Sequence, residues 1–170
     1  SMTLSGSNSF GGSLTNDGGG TLTLGGANTY TGFTVVQGAG SILKVGVANG
    51  IPEASDVTVA TGAGLNLNNQ AGVTFGSLNG GGAVYNIGGN GRTMALGSAN
   101  DGSFSGAMTN GANALSVVKK GTGTQIWTSQ QLYTGTTAIT NGVLKLGINE
   151  ALPFGKTLTI GGANLDTSPA

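Results

Sequence analysis

Short stretches in which apolar and polar residues alternate recur along the whole chain. Examples are TLTL at 21–24, VTVA at 57–60, VLKL at 143–146 and TLTI at 157–160. Alternation with a period of two turns one side chain inward and the next outward, which is typical of a β-strand. Glycine, asparagine, aspartate and serine, the usual turn residues, separate these stretches. The pattern predicts many short strands joined by short turns, and therefore an all-β fold.

The phase of the alternation also predicts which side chains are buried. Apolar residues nowhere follow the 3.6-residue spacing of a helix over three turns, so no substantial helix is expected. The residues predicted to point inward are Leu22, Leu24, Leu65, Leu67, Met94, Leu96, Leu144, Leu146, Leu158 and Ile160. Their neighbours predicted to face solvent are Thr21, Thr23, Asn66, Lys145 and Thr159.

Composition excludes several classes of function. Charged residues make up only 7% of the chain, and six Lys and Arg balance six Asp and Glu. A chain without excess positive charge is a poor candidate for binding nucleic acid or a membrane surface. The absence of cysteine and histidine removes disulfides, cysteine-based zinc sites and a Ser-His-Asp triad. No apolar run is long enough to insert into a membrane.

The chain contains an internal repeat. Residues 30–32 (YTG) recur as 133–135, an offset of 103, and residues 43–46 (LKVG) recur as 144–147 (LKLG), an offset of 101. The recurring unit is on the order of 100 residues long. We expect a first copy at about 3–95 and an incomplete second copy at about 96–170, within a single domain.

The offset between the two copies is not constant. Upstream, Leu4 aligns with Leu96 and Asn16 with Asn110, so the offset drifts and small insertions separate the copies. A solenoid of short strands tolerates such insertions, because extra residues form outward loops while successive turns stack. Stacked turns lie about 4.8 Å apart, where like charges repel, which also accounts for the low charge content. The repeat predicts a parallel β-solenoid.

Two segments resemble the autotransporter-associated β-strand repeat. They are GGGTLTLGGANTYTGFTVVQGAGSILKVG at 18–46 and VVKKGTGTQIWTSQQLYTGTTAITNGVLKLG at 117–147. The family pattern runs from a lysine through G-x-G-x-L-x-L and N-x-Y-x-G-x-T to G-x-L-x-L-G. The second segment has tryptophan and glutamine where the first has leucine and asparagine. The repeat-motif residues that we expect to be structural are Leu22, Leu24, Tyr30, Gly32, Leu43, Tyr133, Gly135, Leu144 and Leu146.

The resemblance implies a right-handed parallel β-helix that is a fragment of a longer solenoid. It further implies a passenger segment of a type V secreted protein, extracellular and at the bacterial cell surface. Members of the family act as stalks, adhesins or carriers of an effector. The implied partners are neighbouring solenoid turns, a C-terminal β-barrel of the full-length chain and a host-cell surface ligand. Nucleic acid binding and membrane insertion of this segment are not expected.

Candidate catalytic and ligand-binding residues are few. Glu53 and Asp56 form the only close acidic pair, and their position after a proline favours a turn role over acid-base chemistry. GKT at 155–157 is not a phosphate-binding loop, because Glu150 occupies the upstream position where that motif requires a glycine. GGNGRT at 88–93 lacks the aspartate of calcium-binding glycine repeats. We therefore expect no catalytic residue, no cofactor and no metal site, although a polysaccharide-active enzyme remains an alternative.

The remaining expectations concern lysines and aromatic residues. Lys119 and Lys120 are expected at a solvated corner, with an anionic partner as the alternative. Tyr30, Tyr133 and Trp127 are expected to fill the core, with a sugar-stacking platform as the alternative. If the copies are equivalent points of one solenoid, the two tyrosines should lie on the same face, with Gly32 and Gly135 at the same corner.

Two further functions stay open at this point. Adhesion through loops is one, and the Gly- and Asn-rich links at 79–91 and 97–113 are the segments that would carry it. Ice binding through Thr-x-Thr ladders is the other, since threonine pairs occur at 21/23, 134/136 and 157/159.

Overall fold

The computed structural model describes residues 1–168 and shows an all-β chain. Pro169 and Ala170, at the end of the expected second copy, lie outside the described residues. The strands are β1 (Met2–Leu4), β2 (Leu14–Asn16), β3 (Thr21–Leu24), β4 (Thr34–Val36), β5 (Ile42–Val45), β6 (Val57–Val59), β7 (Gly64–Asn66), β8 (Val73–Phe75), β9 (Leu78–Asn79), β10 (Ala83–Tyr85), β11 (Arg92–Leu96), β12 (Gly102–Phe104), β13 (Ala107–Thr109), β14 (Leu115–Lys119), β15 (Thr124–Trp127), β16 (Thr137–Ile139), β17 (Val143–Leu146), β18 (Leu158–Ile160) and β19 (Asn164–Asp166).

The strands stack in parallel on three sides of a solenoid. Side 1 is the sheet β1-β3-β5-β7-β10-β13, and side 2 is the sheet β8-β11-β14-β16-β18. Side 3 contains β2-β4-β6-β9 followed by β12-β15-β17-β19, and a bridge between Gly80 and Phe104 joins the two sheets. The predicted parallel β-solenoid is confirmed, with about eight turns. Its right-handed sense and its continuation into a longer solenoid stay predictions.

The number of strands per turn changes along the axis. The first three turns have strands on sides 1 and 3, and loops form side 2. Turns four to six have a strand on each side. The last two turns have strands on sides 2 and 3, and loops form side 1, where Leu132 makes an isolated bridge to Thr109. The loop-bearing side therefore moves from side 2 to side 1 between the two ends.

The predicted core residues are buried with few exceptions. Apolar side chains from successive turns form one continuous cluster that includes Leu24, Leu65 and Met94, each fully buried. Leu146 and Leu158 are only partly buried against this cluster. The prediction for Ile160 was wrong: the residue is 48% exposed, because it lies in the last described turn and no turn covers it.

One residue predicted to face solvent is buried. Asn66 points outward from β7, but its side-chain oxygen accepts hydrogen bonds from the backbone N–H groups of Asn68 at 2.8 Å and Ile87 at 3.4 Å. The loop after β7 thus folds over this outer face. Asn66 is left 8% exposed, and its hydrogen bonds compensate for the lost contact with water.

The glycines of the YTG motif are required by close backbone approach. A Cβ on Gly32 would lie 2.5 Å from the carbonyl carbon of Gly12, and one on Gly135 would lie 2.3 Å from the carbonyl oxygen of Leu115. Each glycine also donates a backbone hydrogen bond to that same residue of the turn below. A side chain at either position would push two stacked turns apart.

Hydrogen bonds show which residues of the two copies correspond. The N–H of Gly25 donates to the carbonyl of Leu4, whereas the N–H of Thr128, 103 positions later, donates to Phe104. Likewise the N–H of Gln37 donates to Asn16, and that of Thr140 donates to Lys119. The alignment of Leu4 with Leu96 and of Asn16 with Asn110 was therefore wrong. The offset upstream is 100 to 103, close to the offset of 101 to 103 downstream.

The two copies do not face the same way. The loop with Tyr30 runs between a side 1 strand and a side 3 strand, so it lies on side 2. The loop with Tyr133 includes Leu132, which bridges to the side 1 strand β13, so it lies on side 1. The predictions of one shared face and one shared corner were wrong. From the second to the seventh turn the motif advances by four and two-thirds turns, and it is therefore rotated by two sides.

Candidate functional site

The tyrosine side chain of each repeat is buried beneath its own loop and hydrogen-bonds to a threonine four residues later. Tyr30 is 2% exposed and its hydroxyl lies 2.6 Å from that of Thr34, while Tyr133 is 1% exposed and pairs in the same way with Thr137. Burial raises the pKa of both phenols. Trp127 is buried as well and packs edge-on against Tyr133, with ring centroids 6.3 Å apart. The core interpretation of these aromatic residues is confirmed.

The other motif residues also lie inside or at corners. Leu22, Leu24, Leu43 and Leu144 belong to the core, Leu146 packs at its margin, and Gly32 and Gly135 occupy the loop corners described above.

The residue two positions before each tyrosine anchors the loop to neighbouring turns. The side-chain oxygen of Asn28 accepts from the N–H of Asn8 at 2.9 Å, and its amide donates to Gly50 at 2.7 Å. In the second copy the side-chain oxygen of Gln131 accepts from the N–H of Met108 at 2.8 Å. Glutamine in place of asparagine therefore keeps a side-chain amide that accepts a hydrogen bond from a backbone N–H of the preceding turn.

Each repeat loop borders a groove together with the segment that follows in the next turn. The first groove, with a volume of about 470 Å³, lies between residues 27–31 and residues 49–54. The second groove, with a volume of about 190 Å³, lies between residues 130–134 and residues 153–156. The same motif builds both, since the N–H of Thr34 donates to Asp56 and that of Thr137 donates to Thr157.

The two grooves differ in chemistry. Where the first groove has Thr29, the second has Leu132, which is 55% exposed. Where the first has Glu53, the second has Phe154, which is 90% exposed. Lys156 also lines the second groove. The second groove therefore presents apolar surface beside a positive charge.

The acidic pair Glu53 and Asp56 joins turns. The Glu53 carboxylate forms an ion pair with Lys120 at 2.6 Å, across three turns. The Asp56 carboxylate accepts from the Ser77 N–H at 2.6 Å, from Asn100 at 2.7 Å and from the Ser98 hydroxyl at 3.0 Å. Both carboxylates thus already have partners, which fits the structural interpretation.

The charge state of Asp56 follows from these contacts. Burial raises its pKa, but the hydrogen bonds from Ser77, Asn100 and Ser98 outweigh burial and hold the pKa below its ordinary value. Asp56 is therefore an ionised carboxylate that ties the third turn to the fourth and fifth.

The expectation of a solvated corner holds for one lysine of the pair. Lys120 is exposed and pairs with Glu53. Lys119 is 4% exposed, so the prediction for it was wrong. Its ammonium group donates to the carbonyl of Gly121, and burial lowers its pKa, although the charge of Asp101 opposes this. The strand phase could have shown this, because Leu115 and Val117 point inward and Lys119 continues their alternation.

Gln125 is a second inward polar residue that sequence reasoning missed. Its side chain is 1% exposed and bonds both backbone groups of Leu78. Gln125 lies two residues before the inward Trp127 on the same strand, so the alternation could have predicted that Gln125 is buried.

The Gly- and Asn-rich links proposed as adhesive loops are turns of the solenoid. The link at 79–91 contains β10, and the link at 97–113 contains β12 and β13. Val84, Phe104 and Met108 from these strands are fully buried. The exposed positions of these links are the connections between the strands and outward-facing strand residues such as Ala83 and Ser103.

Within residues 1–168, no three acidic side chains come close enough to hold a metal ion together. The same residues contain no helix that could cross a membrane.

Comparisons with known proteins give one match. The family model described as Passenger-associated-transport-repeat matches residues 14–41 and 117–146, which together are 58 of the 170 residues. The matched segments run from β2 to the start of β5 and from β14 to β17. No curated protein matches significantly, and no solved structure does.

Proposed function

On the premise that the chain carries two copies of the passenger-associated-transport repeat, we propose that it is a structural segment of an autotransporter passenger. In this role the segment is a non-enzymatic stalk that supports an adhesin or effector. Its partners are the neighbouring turns of the solenoid and a C-terminal β-barrel of the full-length chain. Its location is the extracellular surface of a bacterium.

One observation supports this proposal above the others. Both matched segments lie in the same uninterrupted parallel solenoid, and every strand hydrogen-bonds to a strand of a neighbouring turn. Such an architecture carries load along its axis, since successive turns stack on one another and can be repeated without a new core. A rod of this kind suits a spacer better than a concave active site.

The test is surface display of the full-length protein in its native host. An epitope inserted after Gly89, where an added Cβ meets no atom within 4 Å, should be labelled by antibody on intact cells and removed by external protease. An epitope that becomes detectable only after lysis would overturn the passenger assignment.

A stalk and an adhesin make different predictions in a second assay. A stalk should leave host-cell adhesion unchanged when the purified chain is added as a competitor. A direct adhesin, the alternative function, should compete with the intact bacteria for a host-cell surface ligand. Competition by the chain would shift the proposal from stalk to adhesin without affecting the passenger assignment.

A further inference from the structure

An exposed apolar residue in the last turn of a solenoid indicates a binding surface only if the equivalent residue in an inner turn is also exposed. Ile160 corresponds to Val59, since they pair with the equivalent strands β16 and β4. Val59 is fully buried by the turn that follows it. The exposure of Ile160 is therefore a property of the last turn and says nothing about binding.

The two apolar residues of the second groove behave differently in the same comparison. Leu132 corresponds to Thr29, and Phe154 corresponds to Glu53. Thr29 is exposed and the Glu53 side chain is 66% exposed, although at least one turn stacks on either side of each. These two positions face outward wherever they occur in the solenoid. Leu132 and Phe154 are thus apolar at positions that adjacent turns do not cover.

Three differences between the grooves act in the same direction. Leucine replaces Thr29, phenylalanine replaces Glu53, and Lys156 takes the place of Ser55. In the first copy Ser55 is buried and bonds the hydroxyl of Thr34 at 2.8 Å. Lys156 is exposed, but like Ile160 it lies in the last described turn, so the comparison concerns its charge and not its exposure. The changes remove one negative charge, add one positive charge and add two exposed apolar side chains. Apolar surface rimmed by polar groups marks an interaction site.

The size and charge of the second groove restrict its occupant. A volume of about 190 Å³ is below the range of roughly 300–1,000 Å³ that encloses a small-molecule ligand. It is enough for one large side chain. Lys156 is the one charged residue among those lining the groove, so the complementary group is an anion.

We propose that the second groove docks a segment of a partner protein that presents one apolar or aromatic side chain next to a carboxylate. The apolar side chain packs between Leu132 and Phe154, and the carboxylate pairs with the ammonium group of Lys156. A hydrocarbon side chain can bury against both Leu132 and Phe154, whereas the hydroxyl groups of a sugar ring would lose their contact with water against Leu132. This interaction does not depend on the export role proposed above.

The first experiment is a titration of the isotope-labelled chain followed by amide NMR shifts. The probes are acetyl-Asp-Phe-Asp-amide, its neutral analogue with asparagine and its basic analogue with lysine. A single side chain contact gives a dissociation constant on the order of millimolar, which this method detects. The acidic peptide should shift the amides of Leu132, Phe154 and Lys156 saturably and leave those of Thr29 and Glu53 unchanged.

Variants separate the apolar part from the charged part. Lys156→Gln should weaken the acidic peptide about threefold or more, to the level of the neutral one, because only the ion pair is lost. The triple variant Leu132→Thr, Phe154→Glu, Lys156→Ser carries the residues of the first groove, which the fold already accommodates there. It should keep the spectrum of the folded chain and lose binding altogether.

Several outcomes would overturn the proposal. These are the absence of saturable shifts at the second groove, equal binding of the basic and acidic peptides, and unchanged binding in the triple variant. Shifts produced by an acidic oligosaccharide, with none produced by the peptides, would also reject a protein partner. None of these results bears on surface display, so the passenger assignment is tested separately.

Discussion

The side-chain amide of Gln125 makes two hydrogen bonds with the backbone of Leu78, which lies two turns away. The N–H of Leu78 donates to Oε1 at 2.9 Å, and Nε2 donates to the Leu78 carbonyl at 2.8 Å. The side chain passes Gly102 of the intervening turn, where a Cβ would lie 2.8 Å from Oε1. An amide side chain thus completes the ladder where the two sheets of side 3 meet.

Replacing Gln125 by leucine should therefore destabilise the chain. The variant leaves a buried N–H and a buried C=O without partners, which costs about 2–5 kcal/mol. Urea unfolding followed by circular dichroism measures this. The matched control is Gln37→Leu, because Gln37 is an exposed glutamine, and it should change stability by less than about 0.5 kcal/mol. Equal losses in both variants would contradict the bridging role.

A buried leucine and its exposed neighbour test the strand register. Leu144 is 1% exposed, and Lys145 on the same strand is half-buried and pairs with Asp166 at 3.4 Å. Leu144→Ala should cost about 2–5 kcal/mol through the cavity that it leaves. Lys145→Ser should cost less than about 0.5 kcal/mol, as expected for a surface ion pair. Similar losses would place the strand one residue out of register.

Stability should fall on acidification because of Asp56. The pKa of this carboxyl is lowered in the folded state, so its contribution is complete above the unfolded pKa and is lost as the pH falls through the folded pKa. The loss should begin below about pH 4. Asp56→Asn should be less stable than the parent at pH 7 and should show a weaker dependence on pH between 5 and 2. Parallel pH profiles of the two proteins would show that Asp56 is not the group responsible.

Lys119 should also make stability rise with pH, at the alkaline end of the range. Burial lowers its pKa in the folded state, so the unfolded chain binds more protons and stability rises as the pH approaches the unfolded pKa of about 10.4. The comparison is made between pH 7 and 9, about one unit below the unfolded tyrosine pKa of about 10. Lys119→Met should abolish the rise. A rise that persists in the variant would mean that another group is responsible.

The 170-residue chain should self-associate through its end strands. Within the described residues, β1 and β2 pair on one edge only, and the same is true of β18 and β19. Unpaired parallel edges of this kind accept further strands. Light scattering should show a mass that increases with concentration. Thr3→Pro removes a backbone donor from β1 and should reduce the association, whereas a strict monomer at high concentration would argue against it.

The sequence predicted the strands and most of the core, because period-two alternation depends only on neighbouring residues. It placed Leu24, Leu65 and Met94 correctly inside. The same rule applied to β14 and β15 would also have placed Lys119 and Gln125 inside. The preference of charged and amide groups for water argued against this, and that preference was outweighed by backbone carbonyls and N–H groups that only the neighbouring turns supply.

The rotation between the copies could not be predicted from the sequence. An offset of 103 residues fixes a face only if the residues per turn are known. On side 1 the paired residues Leu22, Leu43, Leu65, Val84 and Met108 are separated by 21, 22, 19 and 24 residues. Turn length depends on loop insertions, which follow no local pattern. The two grooves were missed for a related reason, since each combines segments from consecutive turns.

The displacement of the motif by four and two-thirds turns defines a screw operation: a rotation of 240° with a rise of about 22 Å at 4.8 Å per turn. Three successive applications restore the original direction after 14 turns, or about 67 Å. An array of repeats that kept this operation would distribute equivalent grooves over three directions around the solenoid axis. Two ligands bound on neighbouring copies would then point away from each other, so a bulky partner could occupy every copy without steric exclusion.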